Sequence, residues 1–163
     1  SVIMRLASTH ALLAAILSLW LTTSAWAGFD EGWAAFERGD YAMALEEWLP
    51  VAELGHSRAQ GNLGFMYNEG LGVPRDYAEA LRWYRAAAEQ GNANAQNNLG
   101  YMYDNGLGVT QNYIQAHMWF NLAAASGNES ARENRDIAAK RMTPADISEA
   151  QHLAREWLEE HGE

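Results

Sequence analysis

His152 and Glu156 stand one helical turn apart near the end of the chain, with His161 close behind, and these are residue types that can hold a metal ion. The H-E-x-x-H pattern of a zinc helix is missing, and the surrounding residues are polar, so a solvated helix face is expected there. Gly70-Leu71-Gly72 and Gly106-Leu107-Gly108 have the glycine content of a phosphate-cradling loop. Such a loop follows a strand and opens a helix, and no strand pattern precedes either one, so both read as helix terminators. Ser57 and Ser126 lack a G-x-S-x-G elbow, no carboxylate pair is set for acid and base work, and the absence of Cys removes thiol nucleophiles and thiolate metal sites. His117 falls in an apolar stripe and reads as packed, His56 as a linker residue, and Asn128-Glu129-Ser130 fits a glycosylation sequon. No residue is assigned to catalysis, a cofactor or a metal.

One set of side chains suits binding. Trp33, Phe65 and Tyr101 each follow a glycine, Gly32, Gly64 and Gly100, at equivalent places in three successive segments. Aromatic side chains so aligned would form a ladder for an extended or helical peptide, with Asn68, Glu69, Asp104 and Asn105 one turn later as acceptors. That holds if Leu63 and Tyr67 face a second helix and Gly64 contacts the adjoining unit. The alternative is that the three rings pack on each other between units and close the groove.

An internal repeat positions these residues. Residues 56–91 laid over 92–127 agree at 17 of 36 positions, with LGFMYNEGLGV answered by LGYMYDNGLGV. A period of this length marks a solenoid, in which each unit buries its apolar face on its neighbours. Within a unit, Ala59, Leu63 and Met66/Tyr67 recur at helical spacing, and Tyr77, Ala80/Leu81, Tyr84 and Ala87/Ala88 make a second stripe. Each unit is therefore a helical hairpin. Gly70 and Gly106 close the first helices, Pro74 bars continuation, and Gly91 and Gly127 end the second helices. Gly64, Gly100, Ala80 and Ala116 allow close helix approach, and Trp83 and Trp119 fill the space between hairpins. The expected architecture is an all-α, right-handed α/α superhelix of about four hairpins, with units 28–55, 56–91, 92–127 and a cap at 128–163. In the cap, Thr143 reads as an N-cap followed by Pro144 at N1 and Asp146 at N3. Its helix turns Ile147, Ala150, Leu153 and Trp157/Leu158 to the core.

The chain has 163 residues with 21 acidic and 11 basic side chains, a formal net charge of −10. This balance disfavours a sequence-independent grip on nucleic acid, which needs a dense Lys/Arg footprint, and favours neutral or cationic partners. Residues 1–27 differ from the rest: Arg5 is the one charged side chain, Ala11 to Leu21 is apolar apart from Ser18, and Ala25-Trp26-Ala27 fits a cleavage site. That is the plan of a secretory signal, with Met4 as the start, Ser1 to Ile3 outside the native chain, and no membrane span after removal. The alternative is a retained anchor over Leu6 to Ala27.

The string A-x-x-x-L-G-x-M-Y-x-x-G-x-G-V, followed by Tyr, Ala, Trp and Ala-Ala-x-x-Gly, resembles the Sel1-like repeat family, relatives of the tetratricopeptide repeat. The resemblance is full over 56–127, while 29–55 is closer to a tetratricopeptide hairpin and the last unit puts Arg135 and Asp136 where Leu63 and Gly64 stood. It implies a tetratricopeptide-like solenoid lined by its first helices. The implied role is a non-catalytic adaptor, in exported bacterial members periplasmic or secreted. The reading taken forward is a protein-interaction module of the bacterial envelope that captures a protein or peptide in an acidic, aromatic groove. Two alternatives stand beside it: an envelope glycan binder or enzyme, and a self-associating structural module closing a homodimer.

Overall fold

The computed structural model describes residues 27–162, so the expected leader lies outside the described residues except for Ala27. Among the described residues every regular element is helical. They are α1 (27–37), α2 (Tyr41–Glu53), α3 (Ser57–Glu69), α4 (Tyr77–Glu89), α5 (Ala93–Asn105), α6 (Tyr113–Ala125), α7 (Glu129–Ala139) and α8 (Pro144–His161). The α/α solenoid expected from the repeat is the fold. The two stripes read from the sequence are its core: Ala59, Leu63 and Met66 of α3, and Ala80, Tyr84, Ala87 and Ala88 of α4, are all buried.

Helix ends follow a repeated local chemistry. The side chains of His56, Asn92 and Asn128, one unit apart, accept from the third backbone N–H of α3, α5 and α7, satisfying one of the four donors that a helix start leaves open. Gly70 and Gly106 close α3 and α5 in the left-handed region, at φ 71° and 66°. Gly91 sits one residue past the cap of α4, where the Asn92 N–H returns to the Ala87 carbonyl. Thr143 and Asp146 form a reciprocal capping box at the start of α8, with Pro144 in its first turn.

Within a hairpin the glycines of the first helix admit a ring from the second. A Cβ on Gly32 would come within 2.5 Å of the Trp48 indole, one on Gly64 within 2.5 Å of the Tyr84 ring, and one on Gly100 within 2.7 Å of Phe120. Gly64 therefore contacts α4 of its own hairpin and not the adjoining unit as the sequence suggested. The reason is size: position 84, and its equivalents at 48 and 120, carry aromatic rings too large to pass any side chain on the facing helix.

Units join through two devices that the periodicity did not identify. Gln60 and Gln96, both buried, donate their Nε2 to the Ala52 and Ala88 carbonyls of the preceding unit, at 3.0 and 3.1 Å. The second glycine of each G-L-G turn lies against the start of the preceding second helix. Gly72 and Gly108 have φ of 70° and 66°, and a Cβ there would stand 2.7 Å from the Tyr41 carbonyl and 2.5 Å from the Tyr77 carbonyl oxygen. These contacts are backbone on backbone, so nothing can swing aside. Trp48 and Trp83 lie in the cluster joining the first two units, and Trp119 in the next one.

The cap departs from the hairpin plan. Both α7 and α8 pack on α6, and α8 is laid on α6 where a regular second helix would lie on its own first helix. Trp157 meets Trp119 edge-on with ring centroids 6.1 Å apart, and Ala150 and Ala154 are buried. Leu158, expected on the core face, is exposed.

Candidate functional site

The first helices of the units bring their aromatic row to the surface. Trp33, Phe65 and Tyr101 keep 42%, 41% and 50% of their area exposed, because Gly32, Gly64 and Gly100 beside them take the contact with the second helix. The rings do not stack into one continuous sheet. Trp33 lies 6.1 Å from Phe36, and Phe36 meets Phe65 edge-on at 6.3 Å, so Phe36 links the two predicted residues. Ile137, one period after Tyr101 and 47% exposed, extends the row onto α7. The same 36-residue shift that aligned the first three positions finds it.

Two adjoining cavities open along this row. The larger, about 450 Å³, is lined from α1, α3, α5 and α7 and from the helix starts, by Trp33, Arg58 and Phe65 with a group of asparagines. The smaller, about 220 Å³, lies among Trp33, Phe36, Trp48, Asn62 and Phe65. Tyr101 lines neither.

The expected acceptors lie elsewhere. Asn68 donates to the Glu69 carboxylate at 2.7 Å, and Asn105 donates to the Tyr101 carbonyl at 2.9 Å. Asp104 forms an ion pair with Arg141 at 2.8 Å, and its carboxylate is only 13% exposed. These residues sit at the C-terminal ends of α3 and α5, where Asp104 is engaged by Gln111 of the turn and by Arg141 of the cap, and the others bond within their own helix. No carboxylate lines either cavity, so the acidic lining expected from net charge is replaced by amides and one cation. Arg58 lies over the Phe29 ring at 4.8 Å, a cation–π contact that leaves the N–H edge of its guanidinium free.

Hydrogen bonding fixes how these amides point. The Asn128 Oδ1 accepts from the Ala131 N–H, so its Nδ2 is the donor toward Asn94, and the Asn94 atom 3.0 Å away is Oδ1. Asn134 Nδ2 likewise donates to Asn97 Oδ1 at 3.0 Å. Asn92 has its Oδ1 engaged at the helix start. Asn98 bonds the Tyr84 hydroxyl, whose pKa burial raises, with the Glu69 carboxylate adding to the rise and the Asn98 bond opposing it. Asn62 Nδ2 is buried without a partner among the described residues. Burial, followed by Arg135, lowers the pKa of His117, consistent with a packed neutral imidazole. His152 pairs with Glu156 at 3.3 Å, whereas His161 stacks on Trp157 at 4.3 Å. Among the described residues no group of three or more metal-ligating side chains gathers.

The repeat geometry can be set beside known proteins. The family model of the Sel1 repeat matches residues 57–92 and 93–128. The chain carries two Sel1 repeats. Among solved structures, a protective antigen present in uropathogenic Escherichia coli strains, displaying an SLR fold, is similar at 35% identity and a TM-score of 0.80 over 84% of this chain. A Sel1 repeat protein from Oxalobacter formigenes is similar at 31% identity and a TM-score of 0.59 over 73% of this chain. The chain spans 30% and 50% of the lengths of those two proteins. No curated protein matches it. Sel1 repeat solenoids are generally protein-interaction modules and typically non-catalytic scaffolds. No helix among the described residues is long and apolar enough to cross a membrane.

Proposed function

We propose that this chain is a non-catalytic adaptor that captures a segment of another protein along the first-helix face, at the cavities between Trp33 and Phe65. The observation that carries this reading is the exposure of the aromatic row beside the cavities. Three large rings and Ile137 stay at the surface at equivalent repeat positions, although α3 and α5 bury their leucines and methionines. Exposed apolar area aligned over several units is what a recognition surface needs, and single scattered apolar residues are not. The net charge of −10 favours a partner whose remaining surface is neutral or cationic. Arg5, the apolar run to Leu21 and Ala25-Trp26-Ala27 support an exported protein, periplasmic or secreted, working in the bacterial envelope.

The test is substitution of Trp33 and Phe65 by Ser, followed by crosslinking in the native envelope. Both rings stand at the surface, 42% and 41% exposed, so helical circular dichroism should stay near the wild-type level while the crosslinked partner is lost. Unchanged capture by the folded double variant would refute the reading.

A further inference from the structure

The larger cavity offers hydrogen-bond donors, and most of its acceptors are already engaged inside the protein. The oxygens of Asn92 and Asn128 hold helix starts, and those of Asn94 and Asn97 accept from Asn128 and Asn134. Of these amides the Nδ2 of Asn92, Asn94 and Asn97 remains, with the guanidinium of Arg58 beside them, whereas Asn62 Nδ2 is buried. For Asn92, Asn94 and Asn128 the pattern follows from the helix-start bonds, so there it does not depend on an arbitrary choice of amide orientation. The complementary ligand presents acceptors, carries few donors of its own, and brings apolar groups for the adjoining ring-lined cavity.

A polypeptide meets that description when its residues are proline, since prolyl residues keep the carbonyl and lack the N–H. The spacing agrees. Arg58 and Asn94 occupy equivalent positions on α3 and α5, two helices in contact, and packed helices lie about 8–10 Å apart. One turn of polyproline II, three residues of 3.1 Å rise, advances about 9 Å and returns to the same side of the ligand. The Trp33, Phe36 and Phe65 cavity of about 220 Å³ has room for a prolyl ring between aromatic faces. We propose that the groove binds a proline-rich segment in the polyproline II conformation, its main-chain carbonyls accepting from Asn94, Asn97 and Arg58 and one prolyl ring seated among Trp33, Phe36 and Phe65. This rests on the capture reading above and names its ligand class.

The experiment titrates the protein with capped nonaproline and follows the side-chain amide signals of Asn94 and Asn97 by NMR. A flexible Gly/Ser nonapeptide and a Gly/Ser peptide carrying three Glu residues are run beside it. Asn94→Asp and Asn97→Asp keep the oxygens that accept from Asn128 and Asn134 while replacing the outward donor by an acceptor, so folding is preserved and carbonyls are repelled. Nonaproline should shift both amides, the double variant should bind it at least ten-fold more weakly, and the Gly/Ser peptide should shift them little. Absence of nonaproline binding, or equal binding by the double variant, overturns the proposal. Preferential binding of the Glu peptide also overturns it and assigns the donors to a carboxylate. If nonaproline fails while envelope crosslinking still depends on Trp33 and Phe65, the capture reading stands and only the ligand class is wrong.

Discussion

The turns at 70–76 and 106–112 and the link at 140–143 all follow a first helix, yet they act in opposite ways. Each turn sends a glycine onto the backbone of the preceding second helix, at Tyr41 or Tyr77. The link has no such glycine. In its place Arg141 reaches back to pair with Asp104 at 2.8 Å and lies over the Tyr113 ring at 5.7 Å, at the start of α6 where a third turn would otherwise dock. After the turns the second helix lies on its own first helix, and after the link α8 lies on α6. The difference teaches that stacking is set by the turns as well as by the apolar stripes. A turn with the second glycine continues the array, and a link with a long cation ends it.

The strongest way to break this comparison is Gly108→Ala. It combines a positive φ with a Cβ placed 2.5 Å from the Tyr77 carbonyl oxygen, and should cost about 2–4 kcal/mol in denaturant unfolding. Gly91→Ala is the control, because its φ is 81° but nothing lies within 4 Å of the added carbon. It should cost about 1–2 kcal/mol, the backbone contribution alone. Equal losses would show that the close approach is unimportant.

His56→Asn gives a smaller effect and sharpens the likeness between units, since Asn92 and Asn128 hold the same position. His56 accepts at Nδ1 from the Ala59 N–H, and its pKa is lowered by burial first and by Arg58 second. A depressed folded pKa means that the stabilisation is complete above the unfolded value, near 6.5, and is lost as pH falls through the folded value. Wild type should therefore lose stability relative to the variant below about pH 6.5, by about 1 kcal/mol for loss of a cap. His117 is also depressed and leaves a residual slope in both proteins. Thermal unfolding between pH 7.5 and 5 compares the two, and parallel curves would remove His56 as the source.

Arg141→Gln should have the least effect on global unfolding, because the cation is at the surface. Its expected signature is local: faster amide exchange in 140–143 and at the start of α8, with α3 and α4 unchanged. Uniform exchange throughout would deny the link its role in positioning the cap.

Much of this was legible in the sequence, because helix period, glycine closure and the 36-residue register are local or additive signals. The core positions of α3 to α6, the left-handed Gly70 and Gly106, and the capping box at Thr143 follow from residue order alone. Contacts that depend on a partner segment were not legible. Gly72 and Gly108 looked like additional terminators because their neighbours, Tyr41 and Tyr77, lie about thirty residues away in sequence. Asp104 looked free because Arg141 belongs to a unit with few repeat identities. For the candidate site, the row Trp33, Phe65 and Tyr101 was readable and its exposure was not, because exposure depends on which helix the adjacent glycine touches. The donor character of the asparagines was hidden too, since an amide has both polarities until its neighbours select one.

The docking of Gly72 and Gly108 has a consequence for how such a chain can change over time. Both rest on peptide groups, which are alike at every residue, so the joint places no demand on the side chains of the helix beneath it. Mutations that remodel the recognition surface, or the duplication of a whole unit, can therefore accumulate without the joints having to co-evolve.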